Sequence, residues 1–232
     1  MNRVSIAYYS DLLCVWAYIA ERRLDELRRR FAGRVAVELR FVPVFGNVSR
    51  KMAQGWEERG GIQGYADHVR TVVEDFDHVD IDPQTWTRTV PSGSWSAHMM
   101  VRAAGLLIDD GAVDGQGVEA LEGRTRLEEL ARRLRLAFFR DGRDIARTDV
   151  QLPLAEDLGF PVEAIRARLD DGSALATLAA DHEAAATLGV TGSPTFVLNG
   201  GRQKLYGNVG YRILEVNVEE LLEDNSDRAC WC

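Results

Sequence analysis

The stretch "RVSIAYYSDLLCVWAYIAERRLDELRRRF" constrains the chain most, because its hydrophobic period switches once, within a few residues. Val4 to Tyr9 is rich in β-strand formers and alternates as a half-buried strand should. Trp16, Ala20, Leu24, Leu27 and Phe31 then recur at the spacing of one helix face, and Gly33 stands where a C-cap belongs. "RVAVELRFVPVF" reads as a second strand, so the opening unit is β-α-β with parallel strands and a right-handed crossover. Cys14, in "DLLCVWAY", falls at the strand-to-helix junction.

A thiol at that junction meets the unpaired amides and positive dipole end of the helix, both of which favour thiolate. The expectation is a reactive Cys14 with a pKa below the free-thiol value of about 8.5. A dithiol site would carry its second cysteine three residues on, where this chain has Ala17. Cys230 and Cys232, in the tail "RACWC", are the other thiols, and an odd count argues against a disulfide framework. A resolving role for that tail is the alternative to a solitary thiol.

Beyond Gly46 the composition changes. Segments such as "GYADHVRTVVEDF", "SAHMMVRAAGLLI", "RLEELARRLRLAFF", "DVQLPLAEDLG" and "VEAIRARL" carry apolar residues at helical spacing. Strand character returns at "SPTFVLNG" and "QKLYG", and "GYRILEVNVEELLED" closes as a helix. The expected class is α/β, a thioredoxin-like fold with a large helical insertion between its β-α-β and β-β-α halves. Residues 1–46 and 189–224 would form the thioredoxin-like domain, 47–188 the inserted helical subdomain and 225–232 a tail.

"DLLCVWAY", "RLAFFRDGRDIARTDV" and "LGVTGSPTFVLNG" together resemble the DsbA family in its cytosolic branch. That branch includes FrnE-like oxidoreductases, 2-hydroxychromene-2-carboxylate isomerases and kappa-class glutathione transferases. The resemblance implies a cis Ser193–Pro194 bond beside Cys14, with the Ser193 backbone free to pair with substrate. It also implies a role for His98, since "SGSWSAHMM" is similar to an Asn/Ser-x-x-Ala-His pattern whose helix start faces the thiol in FrnE-like members. The chain departs from the family at Ala17, and at Val15, where proline is usual. The glutathione users carry an acidic residue after the last strand, but no Asp or Glu occurs from Ala184 to Leu214.

At 232 residues and a net charge of −8, the chain is long enough for a substantial core and opposes general nucleic-acid binding. No apolar run approaches the roughly 20 residues of a membrane helix, and a cytoplasmic location is expected. Lys51 and Lys204 are the only lysines, an arginine bias that fits a high-GC bacterial genome. The arginines from Arg22 to Arg34 read as a solvated helix face, with a partner's dock as the alternative. "DFDHVDIDP" lacks the glycine and glutamate of a calcium loop, and "GQGVEALEG" follows no strand, so neither a metal nor a nucleotide is expected.

A lone activated thiol suits reversible covalent catalysis. The leading expectation is an isomerase in which Cys14 adds to a conjugated carbonyl substrate, allows rotation and leaves again. His98 would relay protons, and Tyr9, Trp16, Trp95, Ser193 and Pro194 would bind substrate. No cofactor is required; the substrate would be a small-molecule or carrier-linked unsaturated acyl compound, and a second copy of the chain is the other partner considered. The alternatives are an oxidoreductase or glutathione-transferase-like enzyme using an external low-molecular-weight thiol, and a non-catalytic thioredoxin-fold binding module.

Overall fold

The first strand, β1 (Val4–Ser10), lies inside a four-stranded sheet because both of its faces are apolar. The computed structural model describes residues 3–223, so Cys230, Cys232 and the proposed tail role lie outside the described residues. β1 pairs in parallel with β2 (Val35–Phe41) and antiparallel with β3 (Thr195–Leu198), which pairs antiparallel with β4 (Gln203–Tyr206). The order is β2-β1-β3-β4. Between β1 and β2 runs α1 (Val15–Arg30), and Gly33 adopts φ 74° in the turn that follows. Pairing with β1 ends at Phe41, so β2 is shorter than its apolar run; Pro43, which has no amide to donate, follows two residues later.

Helices α2 (Val48–Gly55), α3 (Gly61–Val73), α4 (Trp95–Asp109), α5 (Arg126–Phe139), α6 (Thr148–Glu156), α7 (Val162–Asp170) and α8 (Ser173–Thr187) separate β2 from β3. After β4 comes α9 (Tyr211–Glu223). α5 begins with a capping box, in which the Thr125 hydroxyl accepts from the Glu128 amide and the Glu128 carboxylate accepts from the Thr125 amide. None of the described helices is long and apolar enough to cross a membrane.

Strand parity divides the core. Val4, Ile6 and Tyr8 point into the main cluster with Leu24, Leu27, Leu214 and Val218, while Tyr9 joins Val42, Ala185, Val190 and Val197 on the other face. Each fully buried leucine, valine or phenylalanine contributes roughly 1.5–3 kcal/mol. Asp181, on the alanine-rich α8, is fully buried and ties three elements together. It accepts from Arg102 Nε of α4 at 2.7 Å, from Arg40 Nη1 at 3.0 Å and from the Phe41 amide at 3.1 Å. Such a carboxylate is tolerable in the interior because its oxygens are satisfied by charged and amide donors.

The arginines of α1 are largely engaged with carboxylates. Arg28 pairs with Asp25 and with Glu128 of α5, Arg29 with Glu26, and Arg30 with Glu215 of α9 at 2.8 Å. The Glu128 and Glu215 pairs fasten α1 to its neighbours, while Arg22, Arg23 and Arg34 form no ion pair with a carboxylate among the described residues.

Candidate active site at the Cys14 turn

Residues 11–14 make the turn that connects β1 to α1, closed by the Cys14 amide donating to the Asp11 carbonyl at 3.1 Å. Cys14 is the N-cap, with extended backbone (φ −86°, ψ 118°), and its carbonyl accepts from the amides of Ala17 and Tyr18. Its Sγ donates to the Ser193 carbonyl at 3.3 Å, and the Ser193–Pro194 peptide bond is cis. The thiol is 5% exposed, and Ala17, one turn along, is fully buried. Among the described residues Cys14 is the only free cysteine.

Asp11 organises the turn. Fully buried, it takes hydrogen bonds at Oδ1 from the Leu13 amide (2.8 Å) and at Oδ2 from the Phe45 amide (2.7 Å) and the Ser94 hydroxyl (2.8 Å). The Asp11 amide donates to Ser193 Oγ at 2.8 Å, which ties the turn to the segment before β3. Burial alone would raise the Asp11 pKa, but the His98 imidazole 3.6 Å from Oδ1 and the Phe45 and Leu13 amides outweigh it and hold the carboxyl below its ordinary range. One buried carboxylate thus joins β1, the β2–α2 loop and the start of α4. The loop and the helix start touch closely: a Cβ on Gly93 would lie 2.4 Å from the Gly46 carbonyl oxygen.

The expected acidic thiol is corrected by the structure. Burial pushes the Cys14 pKa up, and this outweighs the hydrogen bond to Ser193 and the α1 amides of Ala17 and Trp16, which act downward. The Asp11 carboxylate adds a smaller upward push. The helix N-terminus works in the expected direction and loses to desolvation. Cys14 is therefore a thiol at neutral pH. Iodoacetamide should modify it more slowly at pH 7 than it modifies a free peptide thiol of pKa about 8.5, with the rate still climbing above pH 9. A rate plateau below pH 8 would contradict this assignment.

His98 lies inside the molecule, fully buried, with its ring stacked on Phe41 at 4.6 Å. The Leu12 amide donates to its Nε2 at 3.2 Å, and its Nδ1 is buried with no partner among the described residues. These contacts tie His98 to the Leu12 amide and the Asp11 carboxylate of the turn that carries the thiol.

The three aromatic residues expected to bind substrate have different packing partners. Tyr9 belongs to the small cluster beneath α8, Trp16 meets Phe76 edge-on at 6.3 Å, and Trp95, 38% exposed, packs on His182 at 4.8 Å. The physical cause for Tyr9 is parity, since it is Tyr8 that faces α1 and donates to the Ala17 carbonyl at 3.3 Å. The aromatic group beside the turn is instead Phe45, Tyr65 and Trp86, with ring separations of 5.1–5.6 Å. Tyr65 has its hydroxyl pKa raised well above the ordinary value by burial, with Cys14 and Asp11 adding to it. Trp86, fully buried, holds a left-handed φ of 67°, a conformation that costs energy for a bulky residue. Tyr206 is another residue that pattern reading missed: 68% exposed at the end of β4, it lies across Gly192, where a Cβ would come within 2.4 Å of its ring.

Comparison with known proteins agrees with this architecture. Residues 116–218 match the model of a DSBA-like thioredoxin domain. No curated protein sequence matches the chain. A solved structure from Nitrosomonas europaea, assigned as a protein disulfide isomerase, superposes with a TM-score of 0.73 at 16% identity over 96% of this chain and 98% of that one. The cytosolic disulfide reductase DsbM from Pseudomonas aeruginosa gives 0.65 at 22% identity over 93% and 98% of the two chains. A 2-hydroxychromene-2-carboxylate isomerase gives 0.60 at 17% identity over 96% and 98%. The β2-β1-β3-β4 order and the helices set between β2 and β3 give this chain a DsbA-like thioredoxin fold, whose DSBA-like match covers residues 116–218, with Cys14 at the N-cap of α1 and alanine at the position of a second thiol.

Proposed function

We propose that the protein is a cis-trans isomerase of conjugated unsaturated acyl compounds, working through reversible addition of Cys14. The observation that carries this reading is the pairing of a thiol held against the Ser193 carbonyl with a buried Ala17 methyl at the resolving position. A disulfide at Cys14 would have no thiol in the motif to release it. A thioether formed by conjugate addition reverses by itself.

The step balances without an oxidant. The S–H bond breaks and a C–S bond forms at the electrophilic alkene carbon. The alkene π pair shifts along the conjugated chain to the carbonyl oxygen, which takes the thiol proton. The former double bond is then single and rotates. Reversal expels the sulfur, returns its proton and restores the alkene with new geometry. A protonated resting thiol fits this cycle, since its proton is the one the enol needs, and it slows adventitious oxidation, which follows thiolate character.

The backbone around Cys14 would position the substrate. The Ser193 carbonyl would orient the thiol, while the Asp11 network fixes the turn through donors from Leu13, Phe45 and Ser94. The 2-hydroxychromene-2-carboxylate isomerase of similar fold is named for an isomerisation, and the DsbM reductase for a redox reaction. Absence of acidic residues from Ala184 to Leu214 weighs against a glutathione-type partner and so favours the first. The test is a polyenoyl thioester in thiol-free buffer, followed by absorbance and chromatography. Conversion of alkene geometry without added thiol supports the reading; conversion only with glutathione present turns it into the thiol-transfer alternative.

A further inference from the structure

Two clefts meet at the Pro43–Val44 segment. One, of about 650 Å³, is lined by Pro43, Val44, Asn47, Arg50, Lys51 and Trp95 among others. The second, of about 340 Å³, is formed by Val42, Val44, Ala185, Val190, Thr191 and their neighbours. Pro43 and Val44 belong to both, so the two form one trough with an apolar arm and a cationic arm. Thr191, in the lining of the apolar arm, precedes by two residues in the chain Ser193, whose carbonyl holds the Cys14 thiol. The cationic arm is fixed to the same turn, since Lys51 Nζ lies 4.7 Å over the Phe45 ring and the Phe45 amide is bonded to Asp11.

That arm carries positive charge in an acidic chain. The chain carries −8 overall, yet no acidic side chain lines the cleft. Arg50 and Lys51 form no ion pair with a carboxylate among the described residues, whereas Arg28, Arg29, Arg30, Arg102 and Arg124 all do. The Arg50 guanidinium donates to the neutral Gln54, through Nε at 3.3 Å. The half-exposed Trp95 indole stands beside them, packed so closely that a Cβ on Gly46 would lie 2.6 Å from its Nε1. Uncompensated cations next to an exposed aromatic face and an apolar trough suit a ligand that is anionic at one end and acyl at the other. His182, in the apolar arm, has its pKa held down by burial and by nearby His98, so it adds no competing positive site at neutral pH.

We infer that the trough binds a phosphate-bearing acyl thioester arm, with the phosphate on Arg50 and Lys51, the arm passing Trp95 and the unsaturated acyl chain directed along the apolar wall toward Cys14. This rests on the isomerase reading above and narrows its substrate class. A coenzyme A thioester and a carrier protein's phosphopantetheine arm share this chemistry.

The test separates binding from turnover. Coenzyme A is titrated into the Cys14→Ser protein by calorimetry, beside N-acetylcysteamine, which has the thiol end and no phosphate. The expected result is saturable coenzyme A binding that weakens about 10- to 50-fold in an Arg50→Gln/Lys51→Gln variant and falls with added salt, with little binding of N-acetylcysteamine. Arg50 is exposed on α2 and Lys51 half-buried, and a circular dichroism melt confirms that the variant folds. A phosphopantetheinylated carrier protein is run in parallel. If only the carrier binds, with the same dependence on Arg50 and Lys51, the inference holds with that source; if coenzyme A also binds, the free thioester is admitted. Equal affinity of parent and variant for both probes, or no binding of either, overturns the inference. Isomerisation of a non-phosphorylated thioester would still stand in that event, and phosphate-dependent binding without isomerisation would sink the proposed function alone.

Discussion

Replacing Asp11 with alanine is expected to lower the unfolding free energy by about 3–5 kcal/mol, the range for removing one member of a buried charged network. The magnitude follows from what is left behind. The Leu13 and Phe45 amides and the Ser94 hydroxyl all donate to this carboxylate at 2.7–2.8 Å, and their partner is fully buried. Urea denaturation would read the loss as a lower midpoint. Asparagine is the informative second variant, because it keeps the shape and removes the charge. Asp11 has a folded-state pKa below its unfolded value, so its contribution is present above about pH 4 and is lost as pH falls through the folded value. Asp11→Asn should therefore flatten the acid limb of the stability curve. It should also shift the Cys14 alkylation profile toward lower pH, since the Asp11 charge disfavours the thiolate. An unchanged acid limb would show that the carboxylate is not ionised in its network.

The second large effect is on chemistry. Cys14→Ser is expected to cut isomerisation by about a thousandfold or more, as loss of an essential nucleophile does. Serine keeps a donor for the Ser193 carbonyl, so stability should change by no more than about 1 kcal/mol. That separation matters, because the non-catalytic alternative predicts a folded variant with its binding function intact. Turnover within a few-fold of the parent would remove Cys14 from the reaction.

What the sequence disclosed, and what it hid, divides by range. The β-α-β unit was readable because Val4 to Tyr9 and Trp16 to Phe31 carry their periods locally, and Cys14 at the helix start follows from where one period yields to the other. Asp11 stood in the same motif, yet its role was invisible, since its partners come from residues 45, 94, 98 and 193. Asp181 was hidden for a different reason: the alanines of α8 blur the stripe formed by Ala174, Leu178, Asp181 and Ala185. Strand parity places Tyr9 on the sheet face away from α1, and Tyr65 reaches the turn only through the packing of a distant segment. The thiol pKa was misjudged because the helix amides are local features and burial is not.

The central claim is that Cys14 forms and releases a carbon–sulfur bond without redox change. The most direct measurement incubates the protein with a conjugated polyenoyl thioester in thiol-free buffer. Alkene geometry is read by NMR, and the state of Cys14 by peptide mass mapping after rapid quenching. The account predicts interconverted geometry, a substrate-mass adduct confined to Cys14, and full recovery of the free thiol when substrate is removed. Isomerisation that requires added thiol, or a Cys14 recovered as a disulfide during turnover, would contradict it.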